Sequence, residues 1–400
     1  MRIAYVAPYQ GPTLVNRRPI VRNRSMSNRV KIELIATLLR ASSHDVEIIS
    51  QGEVVDSAWT FYPGFPEPEL FHPDVPVHYG SILPIRRLNG LWSNARTLQL
   101  LKARHRADPF DVVIIFNLKG PQIACARWAM GLGLPVILEY EDDRFVTVEG
   151  NAVEGFAMRR ENLAALRLLR SVAGCIAVSP HLLSQVPRSA PTLLLRGVVG
   201  ADVIEAGAER RGDKRNLVVF SGTHIASNGV AELIDGWRSV GLPGWELHIT
   251  GYGGLTETLR QKAAGVPGIV FRGLVSRPEL VQLQSSAKIC INPHHVSQTP
   301  GNVFAFKIIE YLAAGAHVIT TPMGALEKEL EAGITYMRDN SPETIAATIR
   351  RVVETRGYEE TAPTAAQEAY GPSAVSKSLD GFLDQVRVSA ASDSVVSTRK

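Results

Sequence analysis

Short apolar runs alternate with longer amphipathic stretches along most of the chain. Runs such as Val112–Phe116 and Val136–Tyr140 are almost continuously apolar, which is typical of strands that are covered on both faces. Most of these runs are followed by a stretch in which apolar residues recur at helical spacing. This order predicts parallel sheets whose strands are joined by crossover helices.

The same pattern gives approximate bounds for the elements. In the first half, strands are predicted at Ile3–Ala7, Val46–Ser50, Val112–Phe116, Val136–Tyr140, Cys175–Val178 and Leu193–Leu195. Helices are predicted there near Ser27–Leu39, Asn94–Arg106, Gln122–Met130, Gly155–Leu169 and Pro180–Gln185. In the second half, strands are predicted at Leu217–Phe220, Glu246–Thr250, Ile269–Phe271, Ile289–Asn292 and His317–Thr320. Helices are predicted there near Ala226–Arg238, Thr256–Ala264, Pro278–Gln284, Val303–Ala314, Pro342–Thr355 and Ser373–Val386.

A polar segment, GADVIEAGAERRGDKRN, separates the two halves from Gly200 to Asn216. Two domains suit a chain of 400 residues, because single hydrophobic cores rarely grow beyond about 250–300 residues. The small polar residues at the C-terminus are typical of a disordered tail. We therefore predict an N-terminal domain at residues 1–200, a linker at 201–215, a second domain at 216–365, a C-terminal helix at 366–388 and a tail at 389–400.

Composition narrows the class of protein. At 45% hydrophobic and 20% charged residues, the chain is typical of a globular protein. No apolar run approaches the roughly 18 residues that span a bilayer, and MRIAYVAPYQ at the start is typical of a strand and not of a signal peptide. Cys125, Cys175 and Cys290 lie apart in apolar surroundings, which favours buried thiols in the cytoplasm. A net charge of +4 is too small on this length to indicate nucleic-acid binding.

The stretch from Asn302 to Thr321 carries the clearest candidate chemistry. Apolar residues at helical spacing predict a helix that ends at Gly315 and is followed by a strand. Lys307 and Glu310 are three residues apart, so they are neighbours on the surface of that helix. A helix that presents a cation and a carboxylate is suited to binding a phosphorylated sugar carrier. The alternative is an ordinary exposed ion pair.

Seven residues of this helix, namely Lys307, Glu310, Tyr311, Leu312, Ala313, Ala314 and Gly315, resemble the K-x-x-E-Y-L-A-A-G branch of the retaining glycosyltransferases of family 4. The resemblance implies the GT-B fold, which is an α/β fold of two Rossmann-like doubly wound domains that face each other across a cleft. It also implies that the C-terminal helix packs back on the N-terminal domain. The carboxylate at the position of Glu310 binds the ribose hydroxyls in this family. Asn302 stands where a longer form of the motif has a first Glu.

Loops of the second half resemble the donor loops of the same family. The segment from Ser221 to Gly229 resembles the loop that cradles the nucleotide diphosphate, although Thr223 and Asn228 replace its Arg and Lys. Gly251-Tyr252-Gly253-Gly254 resembles the G-x-G-P loop, and Arg272 lies in a segment that borders the base. The alternatives are a tight turn after a strand and a surface arginine. The predicted nucleotide-sugar contacts are Gly222, Thr223, His224, Asn228, Gly251, Arg272, Asn302, Val303, Phe304 and Glu310.

Two charged segments follow strands of the first half. Pro8 to Lys31 holds six Arg or Lys residues and no acid. An anionic acceptor or an anionic membrane surface is expected near Arg17, Arg18, Arg22 and Arg24. Glu141, with Asp142 and Asp143, stands where the family has a histidine near the reacting sugar, and its charge can stabilise the positive charge that develops on the anomeric carbon. The alternatives are a mobile basic loop and a solvated acidic loop.

The resemblance implies a retaining, metal-independent hexosyltransferase. The first domain is expected to bind the acceptor, which is a glycan, a lipid-linked sugar or a small molecule. The second is expected to bind a nucleotide-diphosphate sugar as co-substrate, with no other cofactor and no metal, although His294 and His295 are adjacent. Glu141 and Lys307 are the catalytic candidates. The alternatives are a degenerate, non-catalytic GT-B binding protein or partner subunit, and a nucleotide-sugar epimerase.

Overall fold

A computed structural model describes most of the chain, and its residues form two compact units. The first unit contains Met1–Val198 and Val375–Lys400, and the second contains Val199–Ala374. Each unit has its own sheet and its own apolar core. The described residues are 1–18, 26–52, 60–72, 74–85, 88–143, 145, 156–296, 304–323, 326, 328–359 and 363–397.

The first unit is built on an eight-stranded sheet with the order β3-β4-β2-β1-β5-β6-β7-β8. All neighbouring strands are parallel except β3 and β4 at one edge. The strands are β1 Arg2–Val6, β2 Asp45–Ser50, β3 Glu69–His72, β4 Val75–Tyr79, β5 Val112–Phe116, β6 Val136–Tyr140, β7 Gly174–Ala177 and β8 Thr192–Leu194. The helices are α1 Pro12–Arg17, α2 Met26–Ala41, α3 Asn89–Ala107, α4 Gly120–Gly131, α5 Phe156–Leu169 and α6 Pro180–Leu183.

The second unit is built on a six-stranded parallel sheet with the order β11-β10-β9-β12-β13-β14. Its strands are β9 Arg215–Ser221, β10 Glu246–Thr250, β11 Ile269–Gly273, β12 Ala287–Asn292, β13 His317–Thr320 and β14 Ile334–Tyr336. Its helices are α7 Ala201–Glu209, α8 Val230–Val240, α9 Thr256–Ala263, α10 Arg277–Ser286, α11 Lys307–Ala313, α12 Lys328–Glu331, α13 Pro342–Glu354 and α14 Pro363–Tyr370. Short 3-10 turns lie at Ala226–Asn228 and Gly357–Glu359. The α/β class and the two Rossmann-like domains are therefore confirmed.

The segment predicted as a linker, 201–215, has a different structure. It forms α7 and the first residue of β9, and both belong to the second unit. Val203 is fully buried in the core of that unit. Gly207 lies so close to Ala313 that an added Cβ would be 2.6 Å from its carbonyl oxygen. The apolar face of α7 is short and lies among charged residues, so its sequence does not indicate a helix that packs on a core.

The C-terminal region also differs from the expectation of one helix at 366–388. Residues from Pro363 onward form α14 in the second unit and then α15, Pro372–Ser397. Val375, Leu379, Phe382, Leu383 and Val386 of α15 join the apolar core of the first unit. The backbone is helical as far as Ser397, so most of the predicted tail, 389–400, continues this helix. None of the described helices is long and apolar enough to cross a membrane.

Candidate functional site

Lys307, the first residue of α11, lies at the carboxyl end of β9 in the second unit. Its Nζ is 3.3 Å from the backbone carbonyl oxygen of Ser221 and 4.7 Å from the centre of the Phe220 ring. An added Cβ on Gly222 would be 3.2 Å from the same nitrogen. Burial lowers the pKa of Lys307 to about 8. A cation therefore stands beside the glycine loop, in which Thr223 and Asn228 carry no charge.

Tyr311 ties the same helix to the same loop. The backbone N–H of Ser221 donates a 3.0 Å hydrogen bond to the Tyr311 hydroxyl, and the Ser221 hydroxyl lies 2.8 Å from it. Tyr311 is fully buried, and the Gln284 side-chain amide donates a second hydrogen bond to the Ser221 hydroxyl at 3.4 Å. The end of β9 is thus held in one position relative to α11, and the turn that carries Lys307 and Glu310 is held with it.

The two glycine loops pack against each other. Gly251 follows β10 with a φ of +116°, which strongly favours glycine. An added Cβ there would overlap the carbonyl oxygen of Gly222, whose N–H donates to Thr250 at 3.3 Å. The backbones of the loops after β9 and β10 therefore approach as closely as only glycine allows. Both loops lie at the carboxyl edge of the parallel sheet, where ligands of such sheets bind.

Three other predicted contacts of the first glycine loop have different surroundings. Thr223 is exposed, and the Asn228 amide donates to its backbone carbonyl at 2.6 Å. His224 is fully buried, and its Nδ1 lies 2.9 Å from the Thr256 hydroxyl. Burial also lowers the pKa of His224. The His224 side chain is therefore buried and supports the loop. Only the backbone of His224 lies where the ligand contact was predicted.

Four further predicted donor contacts are Arg272, Asn302, Val303 and Phe304. Arg272 is exposed, and its Nε donates a hydrogen bond to His248 Nδ1 at 3.3 Å. His248 lies in β10, two residues before that strand ends. Phe304 packs against the apolar core of the second unit. Asn302 and Val303 lie outside the described residues. Because the helix begins at Lys307, it is shorter at its start than the predicted Val303–Ala314.

Glu310 is bonded to an arginine that the sequence did not single out. Arg277 Nη1 donates to Glu310 Oε1 at 2.8 Å, and Arg277 Nε donates to Asp202 Oδ2 at 2.9 Å. Burial opposes the charge on Arg277, but its bonds to Asp202 and its attraction to Glu310 raise its pKa overall. The partners lie 33 and 75 residues away along the chain, so no local pattern marks them. Glu310 therefore has a partner other than Lys307.

His294 and His295 follow β12 near the same edge. The carbonyl oxygen of His294 accepts a 2.7 Å hydrogen bond from Thr321, and its Nδ1 lies 2.8 Å from the carbonyl oxygen of His295. Burial lowers the pKa of His294, and the positive charge of Lys307 lowers it further. His295 Nε2 lies 3.3 Å from Glu232. Within the described parts of the chain, no group of three His, Cys, Asp or Glu residues is arranged to hold a metal ion.

Glu141 lies at the carboxyl end of β6 in the first unit, where it forms an ion pair with Lys31. Lys31 also lies 3.5 Å from Glu139, whose other oxygen accepts a hydrogen bond from Tyr5. Burial raises the pKa of Glu141 to about 7, although the charge of Lys31 opposes the shift. The Glu141 side chain keeps 17% of its surface exposed, whereas Glu139 keeps 1%. Glu141 is therefore the member of this cluster that a ligand can reach.

Asn117, at the end of β5, holds the acidic loop in place. Its Oδ1 accepts hydrogen bonds from the backbone N–H groups of Glu141 at 2.7 Å and Asp142 at 3.1 Å. Its φ of +60° is tolerated by Asn better than by most residues. Asp143 is tied separately to His181 at 2.9 Å and Gln185 at 2.7 Å. The three acids thus belong to a fixed loop, and the alternative of a freely solvated loop does not describe them.

In the described part of the basic segment, the adjacent Arg17 and Arg18 have different surroundings. Arg18 is 1% exposed, and its guanidinium donates to the carbonyl oxygens of Gly52, Pro63 and Gly80, each at 2.8 Å. Arg18 is therefore a structural residue and not a contact for an anionic acceptor. Arg17 is exposed, with its guanidinium 4.6 Å from the centre of the Phe65 ring. Arg22 and Arg24 lie outside the described residues.

A large open depression of about 960 Å³ lies elsewhere on the second unit. Its lining includes Arg215, Trp245 and Glu246, which lie at the amino ends of β9 and β10. It is thus at the edge of the sheet opposite to Gly222, Gly251 and Lys307. Ligands of parallel α/β sheets bind at the carboxyl edge, so this depression is not the candidate site.

Two glycosyltransferase family models match the chain. The model described as "Glycosyl transferase 4-like domain" matches residues 29–191, and the one described as "Glycosyl transferases group 1" matches residues 215–355. The GDP-mannose-dependent alpha-(1-6)-phosphatidylinositol dimannoside mannosyltransferase of Mycobacterium tuberculosis is 33% identical over 108 residues. That match covers 27% of this chain and 27% of the relative, so it spans about a quarter of the relative's length.

Solved structures resemble the whole chain. Sucrose-phosphate synthase from Thermosynechococcus elongatus superposes with a TM-score of 0.72 at 14% identity, covering 97% of this chain and 100% of that one. Anabaena HepE in complex with UDP gives 0.64 at 13% identity, covering 96% and 100%. A UDP-N-acetylglucosamine 2-epimerase of Listeria monocytogenes, described as putative, gives 0.58 at 11%, covering 94% of each chain. At these identities the likeness concerns the fold, and it confirms the predicted GT-B class.

Proposed function

We propose that this chain, a GT-B protein with two glycosyltransferase-family domains, transfers a hexosyl group from a nucleotide-diphosphate sugar to an acceptor hydroxyl with retention of configuration. One observation carries the proposal. A single turn of α11 holds Lys307 beside the Gly222 loop and Glu310 against Arg277, both at the carboxyl edge of the second sheet. A nucleoside diphosphate has an anionic diphosphate and a ribose with two hydroxyls. The cation suits the diphosphate, and the oriented carboxylate one turn away suits the ribose hydroxyls.

Glu310 is assigned to the ribose and Lys307 to the diphosphate. An ionised carboxylate has about four acceptor positions, so Glu310 can accept from both ribose hydroxyls while it accepts from Arg277. Lys307 stands where it can neutralise phosphate charge, which Thr223 and Asn228 cannot do. The solved complexes of HepE with UDP and UDP-glucose, and the GDP-mannose in the name of the mycobacterial relative, support a nucleotide sugar without identifying the base.

The proposed reaction is a front-face displacement. The bond between the anomeric carbon and the diphosphate oxygen breaks while the acceptor oxygen bonds to the same face of that carbon. The proton of the acceptor hydroxyl passes to the leaving diphosphate. Lys307 stabilises the charge that develops on the diphosphate, the role that a metal ion has in other transferases. The charge of Glu141 stabilises the positive charge on the anomeric carbon, and Lys31 holds that carboxylate in place.

We assign acceptor binding to the first unit. Its acidic loop is fixed by Asn117 and Lys31, so the carboxylates of Glu141 and Asp142 can orient sugar hydroxyls. Arg17 remains as an exposed cation for an anionic group of a glycan, a lipid-linked sugar or a small molecule. The name of the mycobacterial relative includes a phosphatidylinositol dimannoside, which supports a lipid-linked acceptor among these classes.

A product assay tests this function. UDP-, GDP- and ADP-hexoses are supplied with the purified chain, the released nucleoside diphosphate is measured, and the anomeric configuration of the product is read by NMR. Release with a retained configuration, unchanged by EDTA, supports the proposal, and Lys307→Met is expected to lower release by at least about tenfold. An inverted product contradicts the retaining mechanism. Binding without any release indicates the degenerate binding protein instead.

A further inference from the structure

We propose that Arg277 and Asp202 are positioning residues for Glu310 and that they set how strongly the donor's ribose is recognised. This inference rests on the proposed function, because it concerns the same nucleotide. Neither residue belongs to the motifs that pointed to the donor site. Both were brought to Glu310 only by the packing of α7, α10 and α11.

The guanidinium of Arg277 is divided between the two carboxylates. Its Nε and Nη2 face the two oxygens of Asp202 at 2.9 and 3.4 Å, and Nη1 donates to Glu310 Oε1 at 2.8 Å. A forked contact of this kind fixes the plane of the guanidinium. Asp202 therefore orients Arg277, and Arg277 in turn fixes one oxygen of Glu310.

All three side chains come from the first turns of their helices. Arg277 is the first residue of α10, which begins with a capping box between Ser276 and Glu279. Asp202 lies in the first turn of α7, and Glu310 lies in the first turn of α11. The Glu310 side chain is only 13% exposed, so its carboxylate needs a bonded partner when no ligand is present.

A held carboxylate binds hydroxyls more tightly than a free one. Without Arg277, the Glu310 side chain would have to give up rotamer freedom when the ribose binds, which weakens binding. Its charge would also be uncompensated near a phosphorylated ligand. Arg277 removes both penalties before the nucleotide arrives. This gain in affinity is expected only for a ligand whose hydroxyls reach Glu310.

The competing explanation is that the three residues merely join α7, α10 and α11. Loss of such a structural contact would lower the affinity for every ligand of the unit to a similar extent. Loss of a positioning residue would lower the affinity only for ligands that contact Glu310. The ratio of affinities for a ribonucleotide and its 2′-deoxy counterpart therefore separates the two explanations.

The test measures dissociation constants by calorimetry for UDP, GDP and ADP and for dUDP, dGDP and dADP. The proteins are the wild type, Arg277→Gln, Arg277→Lys and Asp202→Asn. Arg238→Gln is the matched control, because Arg238 pairs with Asp235 at 3.0 Å on α8 of the same unit. Thermal melts accompany each variant, so that a folding defect is recognised.

The wild type is expected to prefer the ribose form of the nucleotide it binds best by about tenfold, which is the factor that ~1.4 kcal/mol produces. Arg277→Gln is expected to reduce this preference to about twofold by weakening the ribose form alone. Arg277→Lys and Asp202→Asn are expected to fall between these values, and Arg238→Gln to match the wild type.

Equal weakening of both forms by Arg277→Gln overturns the inference and leaves the proposed function intact. An unchanged ratio in Asp202→Asn together with Arg277→Lys overturns it even if Arg277→Gln does not fold. A wild type that binds none of the six nucleotides contradicts the proposed function itself, and the inference fails with it.

Discussion

The Nζ of Lys307 lies 3.3 Å from the backbone carbonyl oxygen of Ser221, where the last residue of β9 meets the Gly222 loop. Thr223 and Asn228 of this loop carry no charge, and the cation beside it comes from the first residue of α11. We propose that Lys307 supplies the charge for a diphosphate that Thr223 and Asn228 cannot supply. Lys307 is the residue on which the affinity for a diphosphate should depend most.

The affinity for a nucleoside diphosphate is expected to fall as the pH rises above about 8. Burial lowers the pKa of Lys307 to about 8, so the ammonium is charged below that pH and loses its proton above it. Calorimetry across this range, in a buffer of constant ionic strength, measures the effect. Lys307→Arg should bind with little pH dependence, because a guanidinium stays charged. An unchanged pH dependence in Lys307→Arg would assign the titration to another group.

Turnover is expected to fall as the pH is lowered through about 7. Burial raises the pKa of Glu141 to about 7, so its charge is present above that pH and is lost below it. Glu141→Gln should lower kcat by at least about tenfold at pH 8, and its turnover should no longer fall as the pH is lowered through about 7. Lys31→Met removes the positive charge that lowers the pKa of Glu141, so turnover should begin to fall at a higher pH. Wild-type turnover in Glu141→Gln would show that Glu141 is not catalytic.

Two glycines of one loop should respond differently to alanine. At Gly251 a Cβ would overlap the carbonyl oxygen of Gly222, and the φ of +116° is unfavourable for alanine. Gly251→Ala should therefore weaken nucleotide binding about tenfold, as ~1.4 kcal/mol of strain would. At Gly254 an added Cβ meets no heavy atom within 4 Å, so Gly254→Ala is the control. Equal affinities of the two variants would show that the loop contact does not shape the site.

Adjacent arginines of the first unit should differ sharply in their effect on stability. Arg18→Met leaves the carbonyl oxygens of Gly52, Pro63 and Gly80 without this donor, and should lower the free energy of unfolding by about 3 kcal/mol. Arg17→Met removes an exposed side chain and should change it by less than about 1 kcal/mol. Urea unfolding of both variants measures the difference. Similar values would contradict the structural role of Arg18.

The parts of the fold that the sequence predicts best are interior strands of the two sheets, which have a neighbouring strand on each side. Val112–Phe116, Val136–Tyr140, Glu246–Thr250 and His317–Thr320 have the predicted bounds. Val112–Phe116 and Val136–Tyr140 are almost continuously apolar and their residues are buried, which leaves a strong local signal. The edge strands β3 and β14 are short and partly exposed, and α7 has a polar outer face, so the same signal is weak there.

The candidate site shows the same limit. Lys307 and Glu310 are recognisable because their spacing on one helix is local. Arg277 is not, because its partners lie 33 and 75 residues away and only tertiary packing joins them. The prediction that Arg18 contacts an anionic acceptor is wrong for a related reason. Arginine is rarely buried, and its burial here depends on carbonyl oxygens whose directions only the folded backbone sets.

The most direct test is a binding screen of UDP-, GDP- and ADP-sugars against the wild type and Glu310→Ala. Arg238→Gln serves as the control for a charge removed elsewhere on the same unit. At least one nucleotide sugar should bind the wild type and the control alike, and Glu310→Ala should bind it at least about tenfold more weakly, because charged hydrogen bonds to hydroxyls contribute about 1.5–3 kcal/mol. No binding to the wild type would contradict the account. Equal binding to Glu310→Ala would contradict the assignment of Glu310 to the ribose.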